Sequence, residues 1–206
     1  MPANDLVLAM TGASGAPYGV RLLEALLSTG RTVHLVVSPA AAQVIRQELD
    51  RTVNVDQFKP ADLLGPEAIN RLGTKLDGLR YHHVNDFSSG IASGSFLTGG
   101  MVVCPCSMGT AAAIAHGLSQ NLIHRAADVH LKERRTLILV PRETPLGLVQ
   151  LRNLTACAEA GAVVLPAMPA FYTKPRAIGD LIDFVVGRIC DQLGIEHQLL
   201  HRWGGA

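Results

Sequence analysis

The sequence predicts an α/β protein of three layers, αβα, around a mostly parallel sheet. Apolar runs of strand length alternate with stretches whose apolar residues recur at helical spacing, along most of the 206 residues. The runs are continuously apolar, so both faces of each strand are covered, and buried strands of this kind are joined by helical crossovers. A third observation is negative: no internal repeat and no composition break divides the chain, so 1–206 is read as a single domain.

The elements follow in order. Leu6-Val7-Leu8-Ala9-Met10 is a buried strand that runs straight into Thr11-Gly12-Ala13-Ser14-Gly15. A helix starts there, with Pro17 in its first turn where a missing N–H costs nothing. Leu22, Leu23, Leu26 and Leu27 continue it and Gly30 stops it. Val33–Val37 is a second strand, ending at Ser38-Pro39, and 40–49 is helical. From Asp50 to Ser95 the pattern weakens, with Pro60, Pro66 and several glycines among short polar runs. An irregular excursion is expected, with one short helix and one strand. Met101–Pro105 is a strand, Thr110–Gly117 and Asn121–Arg134 are helices, and Thr136–Val140 is a strand. Leu146–Ala160 is a helix, Ala162–Leu165 a strand, and Ile178 to Leu193 a closing helix. This is a Rossmann-like (flavodoxin-like) arrangement, in which ligands bind beyond the carboxyl ends of the strands.

Composition excludes several functions. A formal net charge of +1 offers no general attraction to nucleic acid or to an acidic membrane. No apolar stretch approaches the ~20 residues that cross a bilayer, and Met1-Pro2-Ala3-Asn4-Asp5 carries no secretion signal, so the cytoplasm is the expected location. Cys104, Cys106, Cys157 and Cys190 lack paired C-x-x-C spacing and read as small buried apolar residues, with no metal site. Charged residues make up only 17% of the chain and mean hydropathy is positive. Such a surface is expected to be covered partly by further copies.

The strand ends carry the chemistry. Gly12 and Gly15 permit a tight turn with close backbone approach, and a helix N-terminus directs N–H groups toward an anion. The turn is not G-x-G-x-x-G, because Ser14 stands where the second glycine would fall. The second strand ends in Ser38, not in an acidic residue that would take a dinucleotide's ribose. Cys104-Pro105-Cys106-Ser107-Met108-Gly109-Thr110 ends the next clear strand, and Ser107 and Thr110 suit a helix cap. Each stretch alone also fits an ordinary strand-to-helix turn. Together they suit a neutral ring, a polyol and one phosphate, which favours flavin mononucleotide over a dinucleotide. Arg142-Glu143 follows the strand 136–140 and fits either an ion pair or a site. Arg188 stands among apolar residues of the closing helix, where an arginine normally meets an anion.

Thr11-Gly12-Ala13-Ser14-Gly15, Pro105-Cys106-Ser107, Arg125-Ala126-Ala127-Asp128, Leu131-Lys132-Glu133-Arg134-Arg135, Pro141-Arg142-Glu143-Thr144-Pro145 and Ala170-Phe171-Tyr172 together resemble the UbiX flavin prenyltransferases. The resemblance runs nearly end to end, through Arg202-Trp203-Gly204, and is weakest from about Asp50 to Phe87. It implies transfer of a dimethylallyl group from dimethylallyl phosphate to reduced FMN, without metal, forming a fourth ring between flavin N5 and C6. It also implies a homododecamer with sites at subunit interfaces, and delivery of prenylated FMN to a UbiD-type decarboxylase. Gly12, Ala13, Ser14, Ser38, Ser107, Met108, Gly109, Thr110 and Arg142 match FMN-binding positions. Lys132, Arg142, Tyr172 and Arg188 match phosphate-binding positions, and Arg125 and Trp203 line the prenyl site. Glu143 is implied as proton donor, Ser14 as the group beside flavin N5, and Glu48 as a further catalytic acid. The resemblance thus places the FMN phosphate at Ser38 and the turn after Cys106, with the turn 11–15 as a wall of the reaction site. The sequence departs from the family at Pro39, where members often have lysine.

Two other functions compete. Flavin-dependent cysteine decarboxylases share this type of fold, but carry P-A-S-A-N-T where this chain has Pro105-Cys106-Ser107-Met108-Gly109-Thr110. A non-catalytic FMN-binding carrier would need no cation cluster and no Glu143.

Overall fold

The computed structural model describes residues 5–200. Six strands form one all-parallel sheet in the order β3-β2-β1-β4-β5-β6. They are β1 (Leu6–Met10), β2 (Val33–Val37), β3 (Leu79–His82), β4 (Gly100–Cys106), β5 (Leu137–Pro141) and β6 (Val163–Val164). The helices are α1 (Ala16–Ser28), α2 (Pro39–Leu49), α3 (Pro60–Leu72), α4 (Met108–Ala115), α5 (Leu122–Lys132), α6 (Leu148–Glu159) and α7 (Ile178–Gln192). Without the edge strand β3 the order is that of a flavodoxin, so the predicted class holds.

Successive residues of a strand point to opposite faces, and β1 shows what its unbroken apolar run is for. Leu6, Leu8 and Met10 enter the core shared with α1, α3 and α7, whereas Val7 and Ala9 enter the one shared with α4 and α5. All five are buried. The chain moves outward from β1 through β2 to β3, then returns to β1's other side with β4. That reversal opens a crevice above the carboxyl ends of β1 and β4, where such sheets bind ligands.

The weakly patterned stretch is more regular than expected. Pro60 opens α3, and Leu63, Leu64, Ala68 and Leu72 are buried along it. Gly65, at φ 77°, and Pro66 interrupt the helix without ending it. Arg51 stabilises the break, its guanidinium donating to the Leu63 carbonyl at 2.6 Å. A 3-10 turn leads to β3, whose Tyr81 stacks on Phe58 with ring centroids 4.2 Å apart. Pro105 likewise does not end its strand. β4 continues to Cys106, and the register against β5 shifts between Val103 and Cys106.

Histidines tie segment 83–99 to the sheet. A carboxylate only accepts, so His34 Nε2–H donates to Asp5 Oδ2 at 3.0 Å. With both rings neutral, His34 Nδ1 then accepts from His82 Nε2–H (2.8 Å), and His82 Nδ1 from the Ser89 hydroxyl (2.9 Å). Deeper in, His130 Nδ1–H donates to the Ala126 carbonyl (2.7 Å), and Nε2 accepts from the Thr98 hydroxyl (2.8 Å). Burial holds His130 down to about 4, and burial followed by His34 lowers His82. Both groups bind protons less readily folded than unfolded, so their contribution to stability is complete above pH 6.5 and declines below it. His130 alone is expected to remove about 3 kcal/mol between pH 6.5 and 4. Urea unfolding across that range measures the loss, and His130→Gln should flatten it.

Candidate functional site

Thr11 joins the two strand ends that frame the crevice. Its buried hydroxyl donates to the Pro105 carbonyl and accepts from Ser107 N–H, each at 2.8 Å. The turn after β1 is thereby locked to the turn after β4. Gly12 lies next to it, and a Cβ there would stand 2.6 Å from Ala40 Cβ, so α2 approaches as closely as only glycine allows.

Three helices begin at this edge and are capped differently. Ser38 Oγ accepts from Ala41 N–H at the start of α2, and Ser107 Oγ accepts from Thr110 N–H at the start of α4. Pro39 takes the first position of α2, where no N–H is needed. At α1 the anion comes from the protein itself. Glu48, reaching back from α2, accepts from Gly15 N–H (2.9 Å) and Ala16 N–H (2.8 Å). The positive end of α1 is therefore already occupied, and a phosphate finds open amides at α2 and α4. Glu48 holds the turn in which Ser14 stands. Glu48→Ala is expected to cost about 1 kcal/mol, the value of a helix cap, and to reduce turnover. Glu48→Gln keeps an accepting oxygen and should recover part of both. Urea unfolding and turnover measured together decide the matter, since a proton-transfer role would leave Gln as inactive as Ala.

Ser38, Gly12, Ser107, Gly109 and Thr110 line one cleft of about 550 Å³. Ser14 and Arg142 are not among its lining residues; they meet each other, Arg142 Nε–H donating to the Ser14 carbonyl at 3.3 Å. Arg142 and Glu143 make no ion pair with each other among the described residues; Glu143 Oε1 accepts from Thr144 N–H at 3.1 Å. Both line a second, smaller hollow of about 260 Å³ with Pro166 and Met168. Ala13 is buried beneath the turn, and Met108 packs partly into the core. The crevice thus combines a phosphate-sized set of caps, a glycine-lined wall and a charged pair at the end of β5.

Other expected residues lie elsewhere in the chain. α5 begins beside segment 83–99, Leu122 N–H donating to the Val84 carbonyl, and runs back toward the amino edge of the sheet. Lys132, its last residue, is therefore remote from the crevice and pairs with Glu133 at 2.7 Å. Arg125 donates to the Ala92 carbonyl (2.9 Å) and to Asp128 (2.8 Å). Arg188 is half-exposed and meets its anion within the protein, Asp191 at 2.8 Å. Tyr172 is exposed, edge-on to Phe184. Trp203 lies outside the described residues. The sequence reading passed over Thr11's locking role and His124, which lines the same cleft. His124 directly precedes the Arg125-Ala126-Ala127-Asp128 motif and carries no motif of its own.

An open doubly wound sheet with a crevice at its strand ends is a general ligand-binding architecture; the class is given by the Flavoprotein family, whose model matches residues 1–190. A flavin prenyltransferase UbiX from Halalkalibacterium halodurans is 48% identical over 196 residues, covering 95% of this chain and 91% of the relative. The crystal structure of AnUbiX (PadA1) in complex with FMN and dimethylallyl pyrophosphate superposes with a TM-score of 0.84 at 42% identity, covering 99% of both chains. A dodecameric FMN-dependent UbiX-like decarboxylase from Escherichia coli O157:H7 gives 0.83 at 41% identity, covering 98% of this chain and 100% of that one. The chain belongs to the UbiX family of flavin prenyltransferases.

Among the described residues, no helix is long and apolar enough to cross a membrane, and no three His, Cys, Asp or Glu side chains are grouped to hold a metal ion. All four cysteines are free and buried.

Proposed function

We propose that this chain transfers a dimethylallyl group from dimethylallyl phosphate to reduced FMN, acting as one flavin-binding domain over 1–206. The observation that carries the reading is the crevice itself. Ser-capped helix ends suit the single phosphate of FMN, and Arg142 and Glu143 stand at the neighbouring strand end. When bound there, reduced FMN supplies the nucleophilic N5 and C6 to which the five-carbon unit is joined. The residues present fit it, because Gly12 leaves a bare wall and the caps at Ser38 and Ser107 leave first-turn amides free of helical partners.

Ser14 stands beside the reacting edge and relays a proton, with its backbone carbonyl held by Arg142. Glu143 donates a proton to the departing phosphate or removes one in ring closure. Guanidinium and ammonium groups stabilise the phosphate as its charge develops, in place of a metal ion. Arg142 is at hand for this. Lys132, Arg188, Tyr172, Arg125 and Trp203 complete the prenyl-phosphate site across contacts between copies in a homododecamer. Two observations support assembly: Lys132 lies at the other end of α5 from the crevice, and Leu148, Val149, Met168, Phe171, Tyr172 and Ile178 are exposed apolar residues around the outer strands. The product serves a UbiD-type decarboxylase, and the reaction runs in the cytoplasm.

Anaerobic incubation of the protein with reduced FMN and dimethylallyl phosphate tests the reading. A flavin heavier by one prenyl unit is expected. No mass gain, with the diphosphate also tried, would reduce the chain to an FMN carrier or a flavin enzyme of another kind.

A further inference from the structure

His124 is the third residue of α5, and its own N–H is taken by the Asn121 side chain at 3.0 Å. His124 lines the cleft of about 550 Å³ with Ser38, Ser107 and Thr110. The residue is only 7% exposed, and its Nδ1 is buried with no hydrogen-bond partner. An enclosed N–H without an acceptor is costlier than an enclosed lone pair without a donor, so Nδ1 carries no proton. The hydrogen therefore sits on Nε2, which also has no protein partner among the described residues. Burial lowers the ring's pKa and keeps it in this neutral form.

The rest of the cleft explains what such a donor is for. No lysine or arginine lines it among the described residues, and its other imidazole, His116, is exposed. The Ser107 hydroxyl donates to Thr110 Oγ1 at 3.0 Å and is thus already used. Donors for an anion are therefore few: first-turn amides of α2 and α4, the hydroxyls of Ser38 and Thr110, and the His124 ring. We propose that His124 Nε2–H donates to the phosphate of FMN in this cleft, serving as a neutral phosphate ligand where no lysine or arginine of the same chain lines it. This rests on the flavin reading above.

Titration of FMN and of riboflavin, followed by quenching of flavin fluorescence, tests it in the intact protein. His124→Leu fills the same space without a donor, and His124→Gln restores an N–H. His124→Leu is expected to weaken FMN binding about tenfold or more, the value of a hydrogen bond to a charged group. Riboflavin, which has no phosphate, should bind all three proteins equally, and His124→Gln should regain most of the FMN affinity. Unchanged FMN binding in His124→Leu would overturn the proposal. So would equal losses for FMN and riboflavin, which would make His124 a packing residue. Wild-type protein that quenches neither flavin would overturn the flavin reading and this inference together. Protein that binds FMN but transfers no prenyl group would overturn only the prenyltransferase reading.

Discussion

Glu143→Gln is expected to leave FMN affinity unchanged and to lower turnover about 100-fold or more, the scale of general acid–base catalysis. Glu143 follows the buried strand β5, so the backbone beneath it is fixed although its side chain is exposed in the isolated chain. One carboxylate oxygen accepts from Thr144 N–H, which orients the group and leaves the other oxygen for a substrate proton. The glutamine amide has the same size and still accepts that hydrogen bond, but has no carboxylic proton to give or take. Binding by fluorescence quenching and turnover by flavin mass separate the two effects. Turnover equal to wild type would remove Glu143 from the chemistry.

Gly12→Ala is the second substitution with a large expected effect, and it acts through shape. The new methyl would lie 2.6 Å from Ala40 Cβ, and neither group can rotate away. The turn after β1 is anchored through Thr11 to Pro105 and Ser107, so α2 is the element that must move. Its displacement carries Ser38 out of line with Ser107 and Thr110 across the cleft. FMN binding is expected to weaken about tenfold or more, because a misplacement of this size disrupts several contacts at once. Gly109→Ala serves as the contrast, since a Cβ there meets no protein atom. Any loss at Gly109 would report the ligand directly. Equal FMN affinity for wild type and Gly12→Ala, by fluorescence titration, would show that the two turns are not rigidly coupled.

Much of this was open to reading residue by residue. Leu6–Met10 and Val33–Val37 are continuous apolar runs because both sheet faces are covered, and their bounds are as predicted. The segment after Asp50 was harder because its signals conflict. Pro66 marks a break, yet Leu63, Leu64, Ala68 and Leu72 still bury one face of α3 across it, and Arg51 fills the gap from outside the helix. A distant arginine leaves no trace in local periodicity. β3 is only four residues long and partly exposed, so its alternation is weak. β4 runs one residue beyond its expected end at Pro105 for a similar reason: Thr11, distant in sequence, supplies hydrogen bonds to the Pro105 carbonyl.

The glycine turn after β1 shows the division most plainly. The sequence by itself determined that a strand ends there in residues small enough for a ligand, that the dinucleotide glycine pattern is absent, and that the motifs match the UbiX family. Local spacing and residue type carry that information. Only the tertiary structure decided that Glu48, more than thirty residues away in sequence, occupies the N-terminus of α1. Only it placed His124 on the cleft and Lys132 at the far end of the same helix. The physical reason is that hydrogen bonds and charges act over a few ångströms of space, and separation along the chain does not reveal which groups the fold brings within that range.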